Sequence, residues 1–187
     1  SKRYAGETPM SLTKRILFAE EHDIFRNSVR AFIEQEIAPY HEDWEEAGCV
    51  SREVWEKAGA AGLLCCDVPA KYGGPGADFL YNTVVIEELA RAGYSGPGTG
   101  FGVHGDMAST YISKFGTEEQ REAYLPRMCS GHSIAALAMT EPGAGSDLQN
   151  IQTRATREGD HYVVKGQKTF ISNGQLGDVI VVACKTD

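Results

Sequence analysis

The chain has 187 residues, 42% of them hydrophobic and 24% charged, with a formal net charge of −8. That length holds one or two domains with a real core, and the acidic balance argues against nucleic-acid or anionic-membrane partners, which select basic faces. No apolar run approaches the ~20 residues that cross a bilayer.

The five cysteines, at 49, 65, 66, 129 and 184, are odd in number and form no C-x-x-C or Cys/His cluster. They read as small buried apolar residues in a reducing compartment, with no metal site or disulfide frame.

Residues 1–15 are polar and are expected to be loose. From Ile16 a helical stripe begins: Phe18, Ile24, Phe25, Val29, Phe32, Ile33 and Ile37 recur at three- and four-residue spacings. Pro39 should bend or end that helix. Ser51 can cap a second helix striped by Val54, Trp55, Ala58 and Leu63. The Pro and Gly density of residues 69–78 predicts a loop, after which Asp78 caps a helix through Leu89. "AGYSGPGTGFG" (92–102) predicts a flexible or tightly turned stretch, followed by a helix with Met107, Tyr111, Ile112 and Phe115. Thr117 and Gln120 form a capping box that opens a helix carrying Leu125 and Met128.

After Gly131 the pattern changes: 134–139 is a short apolar run, 151–156 alternates, and 161–166 and 179–184 are β-branched or aromatic, with "REGD" and "NGQLGD" as turns. Helices followed by strands predict an α+β chain or two domains, with a helical part over 16–131 and a β part over 132–187. Four short strands cannot close a barrel or cover both faces of a sheet. The sequence is therefore expected to be the front part of a longer protein, or to have its sheet completed by a partner.

Several candidate motifs have structural readings. Gly100-x-Gly102-x-x-Gly105 follows a helix rather than a strand, so tight helix packing explains it better than a dinucleotide fingerprint. Ser146 lies in no G-x-S-x-G elbow, and His104, His132 and His161 are placed by no catalytic spacing. "AMTEPGAGSD" (138–147) has more content. Pro142 fixes φ, Gly143 and Gly145 let backbone amides turn to one side, and Thr140 and Ser146 add hydroxyls. This loop could hold phosphate beside an apolar ring, or be an ordinary turn. In "KTFISNG" (168–174), Phe170 on a strand and Ser172 two residues later could face a flat ligand. A core aromatic before an Asn-Gly turn is the other reading.

Together, "AMTEPGAGSD" and "KGQKTFISNG" resemble the two flavin-binding segments of the acyl-CoA dehydrogenases. The likeness runs from about Phe18 to the end and includes "GLLCCDVPAKYGGPGAD", "EELAR" and "FGTEEQREAYLPRM". "SREVWEKAG" and "SKFGTEEQ" are most similar to the long-chain type. Asn150 stands where the family usually has a small residue, and Phe170 where many members have Trp.

The resemblance implies an α+β fold: an all-helical N-terminal domain, then an antiparallel β domain, with the family's C-terminal helical domain absent. It implies FAD as cofactor, an acyl-CoA substrate, an electron-transfer flavoprotein or similar acceptor, and a homo-oligomer, tetrameric in the family. It implies a cytoplasmic place in bacteria and the mitochondrial matrix in eukaryotes. Leu137, Met139 and Thr140 would meet the isoalloxazine edge. Ser146 would serve the phosphate-rich region shared by FAD and substrate. Phe170 would pack on the ring and Ser172 would hydrogen-bond near its reactive nitrogen, with Gly145 and Ile171 completing the set. The family's catalytic carboxylate comes from the C-terminal domain, so no residue here is assigned as base, and Glu141 is expected to fix its loop. The alternative is a non-catalytic flavin- or acyl-binding fragment.

Overall fold

A computed structural model describes residues 16–186; the expected loose segment 1–15 lies outside the described residues. The helical part contains α1 (Glu20–Phe32), α2 (His41–Ala47), α3 (Arg52–Ala60), α4 (Phe79–Ala92), α5 (Ser95–Gly102), α6 (Ser109–Phe115) and α7 (Glu118–Cys129). The strands are β1 (Ala135–Ala138), β2 (Arg154–Glu158), β3 (His161–Lys165), β4 (Val179–Val182) and the two-residue β5 (Lys185–Thr186).

Helix α1 begins four residues later than the apolar stripe predicts. His22 Nδ1 accepts the Ala19 amide at 3.0 Å, and Glu20, Glu21 and Asp23 fill the first turn, where carboxylates complement the helix dipole. Ile16 lies outside the helix and is exposed. The helix widens over Ile33–Ile37 and stops before Pro39, as expected. Ser51 caps α3, its hydroxyl accepting the Glu53 amide at 3.2 Å. Asp78 caps α4 through the Leu80 amide at 2.8 Å.

The Thr117–Gln120 capping box forms in both directions, at 3.3 and 2.9 Å. Thr117→Ala should therefore lower thermal stability by about 1 kcal/mol. A calorimetric scan checks this, and an unchanged midpoint would remove the cap from the account.

The stretch 92–102 is not the turn that its glycines predict. Residues 95–102 form α5. Glycine's weak helix propensity yields here to packing. A Cβ on Gly98 would sit 3.4 Å from Leu89, one on Gly102 3.4 Å from Ile86, and one on Gly100 3.4 Å from the Trp55 ring. The absent side chains let α5 lie close on α4 and α3, as the helix-packing reading of these glycines anticipates. Trp55, Ile37, Leu64, Leu89, Leu125 and Met128 are fully buried at the centre of the core.

The strands follow the helices, but their pairing is mixed rather than wholly antiparallel. β2 and β3 form the expected antiparallel hairpin, Arg154 opposite Lys165 and Glu158 opposite His161. β1 and β4 run parallel, Ala135 beside Val179 and Ala138 beside Val182, and β5 joins β2 in parallel. The reason lies in the connections: the hairpin is inserted between β1 and β4, so the chain returns to β1 from the same end. Arg52 on α3 fastens this return. It bonds the Leu176 carbonyl at 2.8 Å and Asp178 at 2.6 Å, and Asp178 in turn accepts the Ile134 amide at 2.8 Å.

Candidate functional site

The loop after β1 is built around Glu141. Its backbone exchanges hydrogen bonds with Ala144, at 2.8 and 3.1 Å, across Pro142-Gly143. Its carboxylate turns inward and is 6% exposed. It accepts the Gln152 amide at 2.5 Å, the Thr153 amide at 3.0 Å, the Thr153 hydroxyl at 2.5 Å and Lys168 Nζ at 2.9 Å. Led by the Gln152 amide and the Thr153 hydroxyl, these donors hold the carboxyl down at about 2. A carboxylate so engaged is a poor proton acceptor and a strong staple. The expectation that Glu141 fixes its loop agrees with this geometry.

The polar face of the loop stays open. Gly145 and Ser146 are exposed, and a Cβ on Gly143 or Gly145 would meet nothing within 4 Å. Among the described residues, none hydrogen-bonds the hydroxyls of Thr140, Ser146 or Ser172. Leu137 pairs with Val181 on the sheet and is half-buried, as are Met139 and Thr140 just beyond it.

The second segment lies directly alongside. The Thr169 amide donates to the Thr140 carbonyl at 3.0 Å. Lys168 Nζ reaches the Met139 carbonyl at 2.8 Å as well as Glu141. Phe170 differs from its expected placement. It stands on no strand, has a φ of +56° and is 92% exposed. It is equally far from being a core aromatic. Lys168 on one side and the Asn-Gly turn on the other force the chain out of strand geometry. Ile171 and Ser172 are half-buried. Asn173 bonds the Gly100 carbonyl at 2.9 Å and the Ala135 carbonyl at 3.0 Å.

The structure thus brings Met139, Thr140, Phe170 and Ser172 to one seam, with Gly145 and Ser146 on the open loop that leads from it. Its residues fit a flavin: an exposed aromatic, two hydroxyls without a partner among the described residues, and a glycine loop with room for phosphate. Sequence reasoning missed Lys168 and Asn173 as organisers. The available signal was the presence of long or amide donors inside the quoted segment.

A groove of about 350 Å³ opens in the helical part, lined by Ile86, Ala90, Gly98, Gly102, Val103 and Met107, with Ser95, Thr99 and Asp106 as its polar members. Burial, with help from Asp67, pushes the Asp106 carboxyl up to about 6. His104 belongs to the core instead. It is fully buried, takes the Ala135 amide on Nδ1 at 3.0 Å and faces the Met128 carbonyl with Nε2 at 3.1 Å. Those partners fix a neutral ring with its proton on Nε2, and burial lowers its pKa to about 4. Cys65, Cys66 and Cys129 are buried, Cys49 and Cys184 half-buried, and all five are free. The described residues hold no group of His, Cys, Asp and Glu suited to a metal, and no described helix is long and apolar enough to cross a membrane.

Residues 19–132 match the model of the acyl-CoA dehydrogenase N-terminal domain, and residues 136–187 match that of the middle domain. The long-chain specific acyl-CoA dehydrogenase of Rattus norvegicus mitochondria is 50% identical over 173 residues, which are 92% of this chain and 40% of that protein. A crystal structure of acyl-CoA dehydrogenase from Geobacillus kaustophilus superposes with a TM-score of 0.89 at 50% identity, covering 93% of this chain and 45% of that one. A glutaryl-CoA dehydrogenase from Mycobacterium smegmatis in complex with FADH2 gives 0.86 at 31% identity, covering 91% and 44%. The chain spans about 40% of the length of the curated relatives it matches.

Proposed function

Since the chain belongs to the acyl-CoA dehydrogenase family, we propose that the protein carrying it oxidises an acyl-CoA thioester between its α and β carbons to the trans-2-enoyl-CoA, using FAD. The observation that carries this reading is the seam itself: the Glu141-stapled loop and the 168–174 segment, joined through Thr140 and Thr169, carry an exposed aromatic and hydroxyls without a hydrogen-bond partner among the described residues. Bound there, FAD supplies the acceptor for the hydride that leaves the β-carbon.

The chain's own residues orient and shield. Leu137 and Met139 offer apolar edge contacts, and Thr140 and Ser172 offer hydroxyl hydrogens to ring heteroatoms. Phe170 covers apolar ring surface that water would otherwise wet. Gly145 and Ser146 supply donors where phosphates of cofactor and substrate meet. The groove beside α5 is apolar enough for an acyl chain, and Asp106 gives up its proton less readily than an exposed carboxyl. Glu141 is committed to its donors and is not proposed as the α-proton base. The electron acceptor is proposed to be an electron-transfer flavoprotein, and the assembly a homotetramer.

Purification of the protein should yield a yellow flavoprotein that reduces a dye acceptor when given a long-chain acyl-CoA. Absence of flavin absorbance, with no dye reduction by any acyl-CoA, would overturn the reading. A second reading is a flavin- or acyl-binding module without turnover, favoured by the engagement of Glu141. Tight FAD binding without dye reduction by the chain alone supports it, and turnover by the chain alone refutes it.

A further inference from the structure

This inference rests on the flavin reading and concerns what aims the flavin-facing residues. Between Lys168 and Gly174 the chain twice adopts left-handed backbone, at Phe170 (φ +56°) and Asn173 (φ +63°). A bulky residue keeps such a conformation only when its surroundings impose it. The start of the segment is held by Lys168, on Met139 and Glu141. Its end is held by one amide group: Asn173 Nδ2 donates to Gly100 on α5 and to Ala135 on β1.

The local turn explains why this position suits asparagine. Gly174 N bonds the Ile171 carbonyl at 2.9 Å, which places Ser172 and Asn173 at the centre of a tight turn. The second central residue needs positive φ, which Asn and Gly tolerate best. Glycine would supply the backbone but no donors. Aspartate would supply the shape but point a carboxylate at two carbonyls. Gly100 makes the fit possible, because a Cβ there would lie 3.0 Å from Asn173 Oδ1.

We propose that Asn173 is a positioning residue. It fastens the Phe170–Ser172 segment to the helical part and to β1 at once, and so sets where the aromatic and the hydroxyl meet the flavin. It touches no cofactor itself. Because α5 also walls the apolar groove, one side chain ties the flavin-facing turn to the groove's frame.

The test compares the unsubstituted chain with Asn173→Gly and Asn173→Asp, using FAD as the probe. Glycine keeps the turn's backbone and therefore the fold. In Asn173→Gly, amide exchange over 169–174 should quicken roughly tenfold, as the loss of two hydrogen bonds implies, while protection in α3 and α7 is unchanged. FAD affinity should fall about tenfold or more, and the bound flavin's visible band should shift at saturation, with Asn173→Asp at least as strongly affected. Unchanged exchange over 169–174, or unchanged affinity and spectrum, overturns the proposal. Loss of protection throughout the helices also overturns it, since Asn173 would then serve the fold in general. If the unsubstituted protein that carries this chain binds no FAD, the flavin reading fails and this inference with it.

Discussion

Glu88→Ala should cost about 3 kcal/mol of folding stability, at the lower edge of what breaking a buried ion cluster removes. Glu88 lies on α4 and is 3% exposed. Arg26 reaches it at 2.6 Å, and Arg30 at 2.6 and 3.3 Å, both from α1. Burial alone would raise the Glu88 carboxyl; the Arg30 and Arg26 hydrogen bonds outweigh it and hold the group below its ordinary value. Removing the carboxylate strands Arg26, which is 11% exposed and keeps only flank partners such as Glu87 at 2.9 Å. Arg30 is more exposed and can turn to water, which sets the effect at the low end. Urea unfolding followed by tryptophan fluorescence should show a lower midpoint with an unchanged slope. A loss under 1 kcal/mol would mean that α1 and α4 are held by apolar packing alone.

The second large effect is an opposition between a buried histidine and a half-buried neighbouring carboxyl. His104 titrates at about 4 in the fold, because burial disfavours its charged form, against an ordinary 6.5. Between those values the unfolded chain binds a proton that the folded chain refuses. Stability is therefore lost as pH falls from 6.5 towards 4, by roughly 3 kcal/mol in all. Asp106 works in the other direction. Its folded carboxyl is raised to about 6 from 3.8, so its contribution is present at low pH and lost as pH rises through 6. Across pH 4–6 the two slopes nearly cancel.

Asp106→Asn removes one side of the balance. At pH 7 the variant should be more stable than the parent by about 1–2 kcal/mol, a figure discounted because the carboxyl is partly solvated. Between pH 6.5 and 5 it should lose stability more steeply than the parent. That window lies above the range where Glu141 and Glu88, both held low, begin to take protons. Parallel stability curves for parent and variant would refute the opposition.

What could be read from the sequence was what neighbours within a few residues decide. Asp78 and Thr117 find their amides two and three residues away, so the caps and helix starts they predict are found. The β2–β3 hairpin is equally local. The Glu88 cluster was invisible because its partners lie 58 and 62 residues away. Helix α5 was invisible because its glycines are chosen for Leu89, Ile86 and Trp55, not for helix formation. Phe170 was placed on a strand because nothing local reveals a side chain held open by anchors at Lys168 and Asn173. The seam between the two segments was legible only as paired motifs; the staple beneath it, running from Glu141 to Thr153 and Lys168, was not.

The distance along the chain between β1 and its partner β4 also bears on when the two can pair during synthesis. A chain emerging from the ribosome presents β1 well before the residues that pair with it, since Ile134 and its partner Asp178 are 44 positions apart. Until β4 has been made, that edge lacks its strand. The Ala135 amide already has His104 Nδ1 to bond within the helical part. Helices α1 to α7 can therefore close their core around Trp55 first and hold the start of β1 against it, so that each later strand meets a prepared template.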